Sequence, residues 1–169
     1  TQQLNFETRV EPGPKLISTQ DRMDAPVLYF GWYSRDLTGA FKLPGFRFAP
    51  GAVAVHLHSF SAQRLREVER NWTGGLLAKG AAATVGNVYE PYLQLTHHLD
   101  LLMLALAQGR NFADAAALSL PAVSWQAVAL GDPLYQPFRV SLDDQLRNLQ
   151  LRPAEIPSDF HPDYAGIRH

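Results

Sequence analysis

The residues able to do chemistry fall in three short groups, each placed directly after an apolar run. Trp32-Tyr33-Ser34-Arg35-Asp36 follows Pro26 to Phe30 and Gly31. His58-Ser59-Phe60-Ser61 closes the run from Ala52 to His58. Asn87-Val88-Tyr89-Glu90 follows Ala81 to Val85 and Gly86. A hydroxyl, an imidazole and a carboxylate are the parts of a nucleophilic hydrolase, in which the hydroxyl attacks, the ring takes its proton and the carboxylate orients the ring. Ser59 and Ser61 are the candidate nucleophiles, His58 the base and Glu90 the orienter. Neighbouring side chains on a strand point to opposite faces, so His58 serves Ser61, or a residue of another loop, more readily than Ser59. Both serines also stand just before a helical pattern, where a hydroxyl caps free amides of the first turn.

Glu90 precedes Pro91, which favours an extended backbone for it. Its carboxylate could act as a base, orient His58 or pair with Arg35. Trp32, Tyr33, Asn87 and Tyr89 would line a crevice beside these groups, although rings of this size serve equally well as core. His56 and His58 share one face of a strand and could reach a single metal ion. Such a site needs a third ligand, and none is identified, so a buried, hydrogen-bonded His56 competes with it. No metal and no other cofactor is expected. His97 and His98 are adjacent, about 100° apart on a helix, and read as a solvated first turn. Arg64, Arg66, Glu67, Glu69 and Arg70 read as a solvated helix face with local ion pairs, and Asp132 before Pro133 as the residue that sets a turn.

The elements that must position these groups follow from periodicity. The three apolar runs are short, continuous and bounded by glycine or polar residues, as suits strands buried on both faces. Between the second and third, Ala62 to Lys79 carries Leu65, Val68, Trp72, Leu76 and Leu77 at helical spacing, interrupted by Gly74-Gly75 and ended by Gly80. Strand, helix, strand is the form of a right-handed parallel crossover. A helix over Leu95 to Gln108 closes at Gly109, Asn111 caps a shorter helix through Leu118, and Ser124 to Leu130 forms a last strand. Gly131-Asp132-Pro133 then turns the chain, and Ser141 to Leu151 has an amphipathic pattern. The expected organisation is a polar segment over residues 1–25, an α/β domain over 26–138, and a helix with an extended, proline-bearing tail over 139–169. Ligands of an open parallel sheet bind beyond the carboxyl ends of its strands, where all three chemical groups would lie.

Composition narrows the partners. The chain has 169 residues, 46% of them hydrophobic, which suits one packed domain. Fifteen Lys and Arg against sixteen Asp and Glu leave a net charge of -1, so there is no basic footprint for nucleic acid or for an anionic membrane. The longest apolar stretch, Leu99 to Ala107, falls well short of the roughly 20 residues that span a bilayer, and a soluble protein is expected. With no cysteine, there is neither a disulfide nor a thiolate nucleophile, and cysteine usage assigns no compartment.

Three longer segments carry a resemblance. Ala52 to Ala62 (AVAVHLHSFSA), Trp72 to Tyr92 (WTGGLLAKGAAATVGNVYEPY) and Ser124 to Phe138 (SWQAVALGDPLYQPF) resemble an uncharacterised bacterial protein family with GNVYEPYL and GDPLY motifs. The similarity covers about Ala25 to Phe138. More distantly, the order of elements resembles the second half of caspase-like folds, gingipains and CHAT domains among them. That resemblance implies a three-layer, mostly parallel α/β sheet. In peptidases of that fold, a catalytic His follows one strand and a catalytic Cys the next. By position these fall near Gly31-Trp32-Tyr33 and His58-Ser59, which hold no such His and no Cys. The resemblance therefore implies either a binding or interaction module with an unknown ligand or protein partner, or a hydrolase that uses a serine. It also implies two further strands upstream of Pro26, so the chain is expected to be the C-terminal part of a longer fold, lacking an N-terminal half, or to complete its sheet as a homo-oligomer.

Overall fold

A computed structural model describes residues 7–151 except Pro12, Pro14, Lys15, Arg22 and Ser124. The tail expected from Arg152 onward lies outside the described residues. The elements are β1 (Leu28–Trp32), a 3-10 turn (Gly39–Lys42), β2 (Val53–Leu57), α1 (Thr73–Ala78), β3 (Ala83–Asn87), α2 (Leu99–Ala107), α3 (Phe112–Ser119), β4 (Ala127–Gly131) and α4 (Leu142–Leu151). Four strands form one open sheet in the order β1-β2-β3-β4. The first three are parallel, with Leu28 opposite Val53, Trp32 opposite Leu57, and Val53 opposite Ala83. The fourth runs antiparallel to β3. This is an α/β fold with a mostly parallel sheet. Among the described residues, no helix is long and apolar enough to cross a membrane.

Alternation along β2 explains why both faces of the sheet are covered. Ala52 and Ala54 pack on one side with Tyr29, Phe41, Trp72 and Leu76 of α1. Val53 and Val55 pack on the other with Val85, Leu102 and Leu106 of α2, and Phe112 of α3. Successive residues serve opposite layers, and both layers are apolar, so the run shows no polar alternation.

The expected elements shift in specific ways. β1 runs two residues past the expected Phe30, so that Gly31 and Trp32 belong to the strand. β3 starts at Ala83 rather than Ala81, because the Ala81 amide is spent on Leu76 O, closing the turn after α1. The helix expected over Ala62 to Lys79 is replaced by turns and bends through residue 72, and only Thr73–Ala78 is helical. The cause is the pair Gly74-Gly75. A methyl group on Gly74 would strike the carbonyl of Leu65, and one on Gly75 would lie 2.6 Å from Val68 O. The glycines let the preceding segment fold back across α1 instead of extending it. Similarly, α2 begins at Leu99 and not Leu95, because the His98 amide is held by Ser119 O at 2.8 Å. The caps behave as expected. Asn111 Oδ1 accepts the Asp114 amide at 2.8 Å, Gly109 follows α2 with a positive φ of 84°, and Asp132 Oδ1 accepts the Leu134 amide at 2.9 Å.

Candidate functional site

Beneath the strand ends lies a buried platform that fixes the first loop. His56 of β2 is 3% exposed and stacks on Trp72, with centroids 3.5 Å apart and planes 5° apart. Its Nε2 accepts the Ser34 amide at 3.0 Å, so Nδ1 carries the hydrogen and donates to the Tyr29 hydroxyl at 2.8 Å. Trp72 Nε1 donates to Ser34 O at 2.7 Å, and Asp36 Oδ1 accepts the Asn71 amide at 2.9 Å. Ser34 is thus held from both sides, which sets where Tyr33 and Arg35 emerge. Burial, and secondarily the nearby His58, pushes the His56 pKa down to about 3. With both nitrogens engaged, His56 and His58 do not present a ligand pair. Among the described residues, no group of three or more His, Asp or Glu is placed to hold a metal ion.

The two serines part company. Ser59 is buried and its hydroxyl donates to Glu90 Oε1 at 2.9 Å, with the Tyr33 hydroxyl 3.3 Å away. Ser61 is 1% exposed, and its Oγ accepts the Asn87 amide at 3.0 Å, capping the end of β3. Neither hydroxyl caps a helix. The amides of Trp72 and Thr73 at the start of α1 are met instead by the backbone carbonyl of Ser61, at 3.2 and 2.9 Å. That corrects the capping expectation: the segment after Ser61 is not helical, so there are no first-turn amides next to it.

Of the three roles the sequence suggested for Glu90, the orienting of His58 and the pairing with Arg35 are not made among the described residues, while its contact with the Ser59 hydroxyl is the one a base would make. Besides Ser59, its Oε1 accepts the Tyr92 amide at 3.0 Å, holding Tyr92 in a left-handed backbone with φ 47°. Among the described residues, it makes no ion pair with Arg35 and no hydrogen bond to His58. His58 Nδ1 accepts the amide of Phe60 at 3.2 Å, and its ring packs 4.9 Å from that of Tyr33. Burial lowers the His58 pKa, against an opposing pull from Asp36 and Glu90, while Arg35 lowers it further. Among the described residues, no hydrogen bond joins the His58 imidazole to the hydroxyl of Ser59 or Ser61; Ser61 meets His58 only through its backbone amide, which donates to His58 O at 3.2 Å. The sequence of nucleophile, base and orienter is not assembled here.

Two cavities open at the strand ends. The larger, about 660 Å³, lies against Tyr33, Arg35, Asp36, Arg64, Arg70 and Asn71. The smaller, about 270 Å³, lies against Trp32, Leu57, Asn87, Tyr92, Leu93 and Thr96. Tyr33, His58, Ser59 and Glu90 line both. Of the expected crevice residues, Trp32, Tyr33, His58, Ser59, Asn87 and Glu90 are therefore brought together. Ser61 is withdrawn beneath them. Tyr89 lines neither cavity and packs edge-on against Phe60 at 5.7 Å. Arg64 and Arg70 do make the expected ion pairs, both with Glu67, but from a turn segment that borders the larger cavity.

Sequence reasoning missed Asn71, Tyr92 and Thr96. The last two follow Glu90-Pro91 closely, and the proline's turn signal could have placed them near the carboxylate. His97 also departs from expectation. It is 2% exposed, not solvated, and donates from Nδ1 to Ser119 Oγ at 2.8 Å while that hydroxyl donates to Ala116 O. Burial lowers its pKa to about 4. Comparison with known protein families, with curated proteins and with solved structures finds no match to this chain.

Proposed function

We propose that the chain is a binding module on a caspase-like α/β fold, without peptidase chemistry, whose ligand enters the crevice at the carboxyl ends of β1, β2 and β3. One observation carries the reading: Glu90 holds the Ser59 hydroxyl directly, while the imidazole of His58 is turned to the Phe60 amide. The crevice keeps its room and its polar groups, but its hydroxyl meets a carboxylate in place of the imidazole that a Ser-His-Glu mechanism requires. The order of strand, strand, helix, strand, helix supports the caspase-like part of the reading. So does the site's place beyond the ends of parallel strands. β1 stands at one edge of the sheet, which suits pairing with a further strand, in this reading one from a second copy of the chain or from an N-terminal half.

The test joins binding with turnover. In isotope-labelled protein followed by amide NMR, a mixed set of charged and neutral fragments should move the signals of Ser34, Ser59 and Glu90 together. The same protein should hydrolyse p-nitrophenyl acetate no faster than buffer does. Ester turnover that disappears in Ser59→Ala would put the serine hydrolase in place of the binding module. Fragments that move none of those signals would overturn the crevice itself.

A further inference from the structure

The smaller cavity joins one carboxylate to three aromatic rings. Among the described residues, Glu90 is the one acidic or basic side chain besides His58 on its lining, and neither Lys nor Arg borders it. Glu90 Oε1 receives Ser59 and Tyr92, whereas Oε2 receives no hydrogen bond among the described residues. Burial favours the neutral form of His58, against the pull of Asp36 and Glu90.

Asn87 forms part of the cavity floor. It is the last residue of β3 and 2% exposed, and its Nδ2 donates to His58 O at 3.2 Å and to Thr96 Oγ1 at 3.0 Å. A carbonyl only accepts, so the bond to His58 O fixes which way the amide lies. Its Oδ1 is thereby left buried with no partner among the described residues, closed off from a ligand in the cavity above it.

The rings complete the set. Trp32 is 59% exposed and Tyr92 71%, which leaves two large aromatic surfaces on the cavity lining uncovered by the protein. Tyr33 stands edge-on to Trp32 at 6.1 Å, and its hydroxyl approaches Ser59 on Glu90. Aromatic faces beside a carboxylate favour an organic cation, because the ring quadrupole attracts charge that is only weakly hydrated. A bare divalent ion fits poorly, since it takes six or more hard oxygens, usually with several carboxylates, and this cavity offers one carboxylate.

We infer that this cavity binds a small alkylammonium ion, with Glu90 as its counter-charge and the acceptor for its N–H, and Trp32, Tyr33 and Tyr92 as its aromatic walls. The inference rests on the binding reading above and names the ligand chemistry for one part of that crevice. The volume of about 270 Å³, just below the usual range of roughly 300–1,000 Å³, limits the ligand to a short chain.

The probe is butylammonium, titrated beside butanol, which has the same chain and no charge. By calorimetry and amide NMR, butylammonium should bind about tenfold more tightly than butanol, with shifts at Asn87, Glu90 and the Trp32 indole. Glu90→Gln keeps an acceptor for Ser59 and Tyr92 and should bring the two affinities together. If that variant does not fold, Trp32→Leu at the exposed strand end replaces it, with a several-fold loss for butylammonium expected. Tetramethylammonium, which has the charge but no N–H, should bind more weakly than butylammonium; equal binding would overturn the hydrogen bond given to Glu90. Equal affinity for butylammonium and butanol would overturn the site. Fragments that move Ser59 and Glu90 where butylammonium does not would overturn the ammonium site alone and leave the binding crevice standing.

Discussion

Glu90 accepts the hydroxyl of Ser59 at 2.9 Å across 31 residues of sequence, joining the end of β2 to the loop after β3. The same carboxylate oxygen takes the Tyr92 amide, so one side chain ties together three points of the crevice. The bond organises the wall that both cavities share. It also puts the carboxylate on the hydroxyl, where a hydrolase of the usual kind would have an imidazole.

Ser59→Ala should therefore act on stability. Removing a buried hydroxyl from a carboxylate costs about 1.5–3 kcal/mol, read as a lower urea midpoint with an unchanged slope. Glu90→Gln retains an oxygen for both donors and should cost less than Ser59→Ala. If the glutamine variant proved the less stable of the two, the charge of Glu90, not its hydrogen bonds, would be holding the wall.

Gly31 is where β1 passes Tyr29 and His56, its partner across the strands. A methyl group there would collide with the Tyr29 hydroxyl and lie 2.6 Å from His56 Nδ1. Gly31→Ala should destabilise by about 1–3 kcal/mol through overpacking, and should release Ser34 from the imidazole below it. Gly45→Ala is the control, since nothing lies within 4 Å of the added carbon, and its effect should stay within about 0.5 kcal/mol. Denaturation curves of the two variants check the contrast, and equal stability would mean that the strand moves aside at no cost.

The buried histidines set a dependence on pH. His56 and His97 are held neutral in the fold, with pKa values of about 3 and about 4 against an ordinary 6.5. Between those values and 6.5 the unfolded chain binds more protons than the folded one. Stability from this source is therefore complete above about pH 6.5 and falls as the pH drops toward 4. The slope approaches about 1.4 kcal/mol per pH unit for each histidine. Urea midpoints measured from pH 7 down to 4.5 should decline, and His97→Gln should decline less steeply. A level profile would mean that both rings ionise in place.

Much of the scaffold is legible in the residues because its causes are local. Short apolar runs announce strands with two buried faces, and Ala52 to Leu57 delivers alternate residues to the two layers. Asn111, Gly109 and Asp132 do their work within two or three positions of themselves, where the side chain or backbone alone sets the geometry. The three chemical groups at the strand ends were legible for the same reason, since a parallel sheet collects the carboxyl ends of its strands.

The tertiary structure decided what depends on a distant partner. Leu65 and Val68 have helical spacing, yet their carbonyls lie on Gly74 and Gly75, and chain packed upon chain outweighs the propensity of either segment. β4 runs antiparallel because the chain comes back from α3 to pair with β3, an outcome that no period within the strand records. Ser61 serves a backbone amide 26 residues away, His97 serves Ser119, and Glu90 meets Ser59 and not Arg35. A residue type and its spacing set what a side chain can donate or accept. Which group it meets is settled only when the sheet brings its strand ends together, because a buried polar atom must be matched by whatever partner the packing leaves within reach.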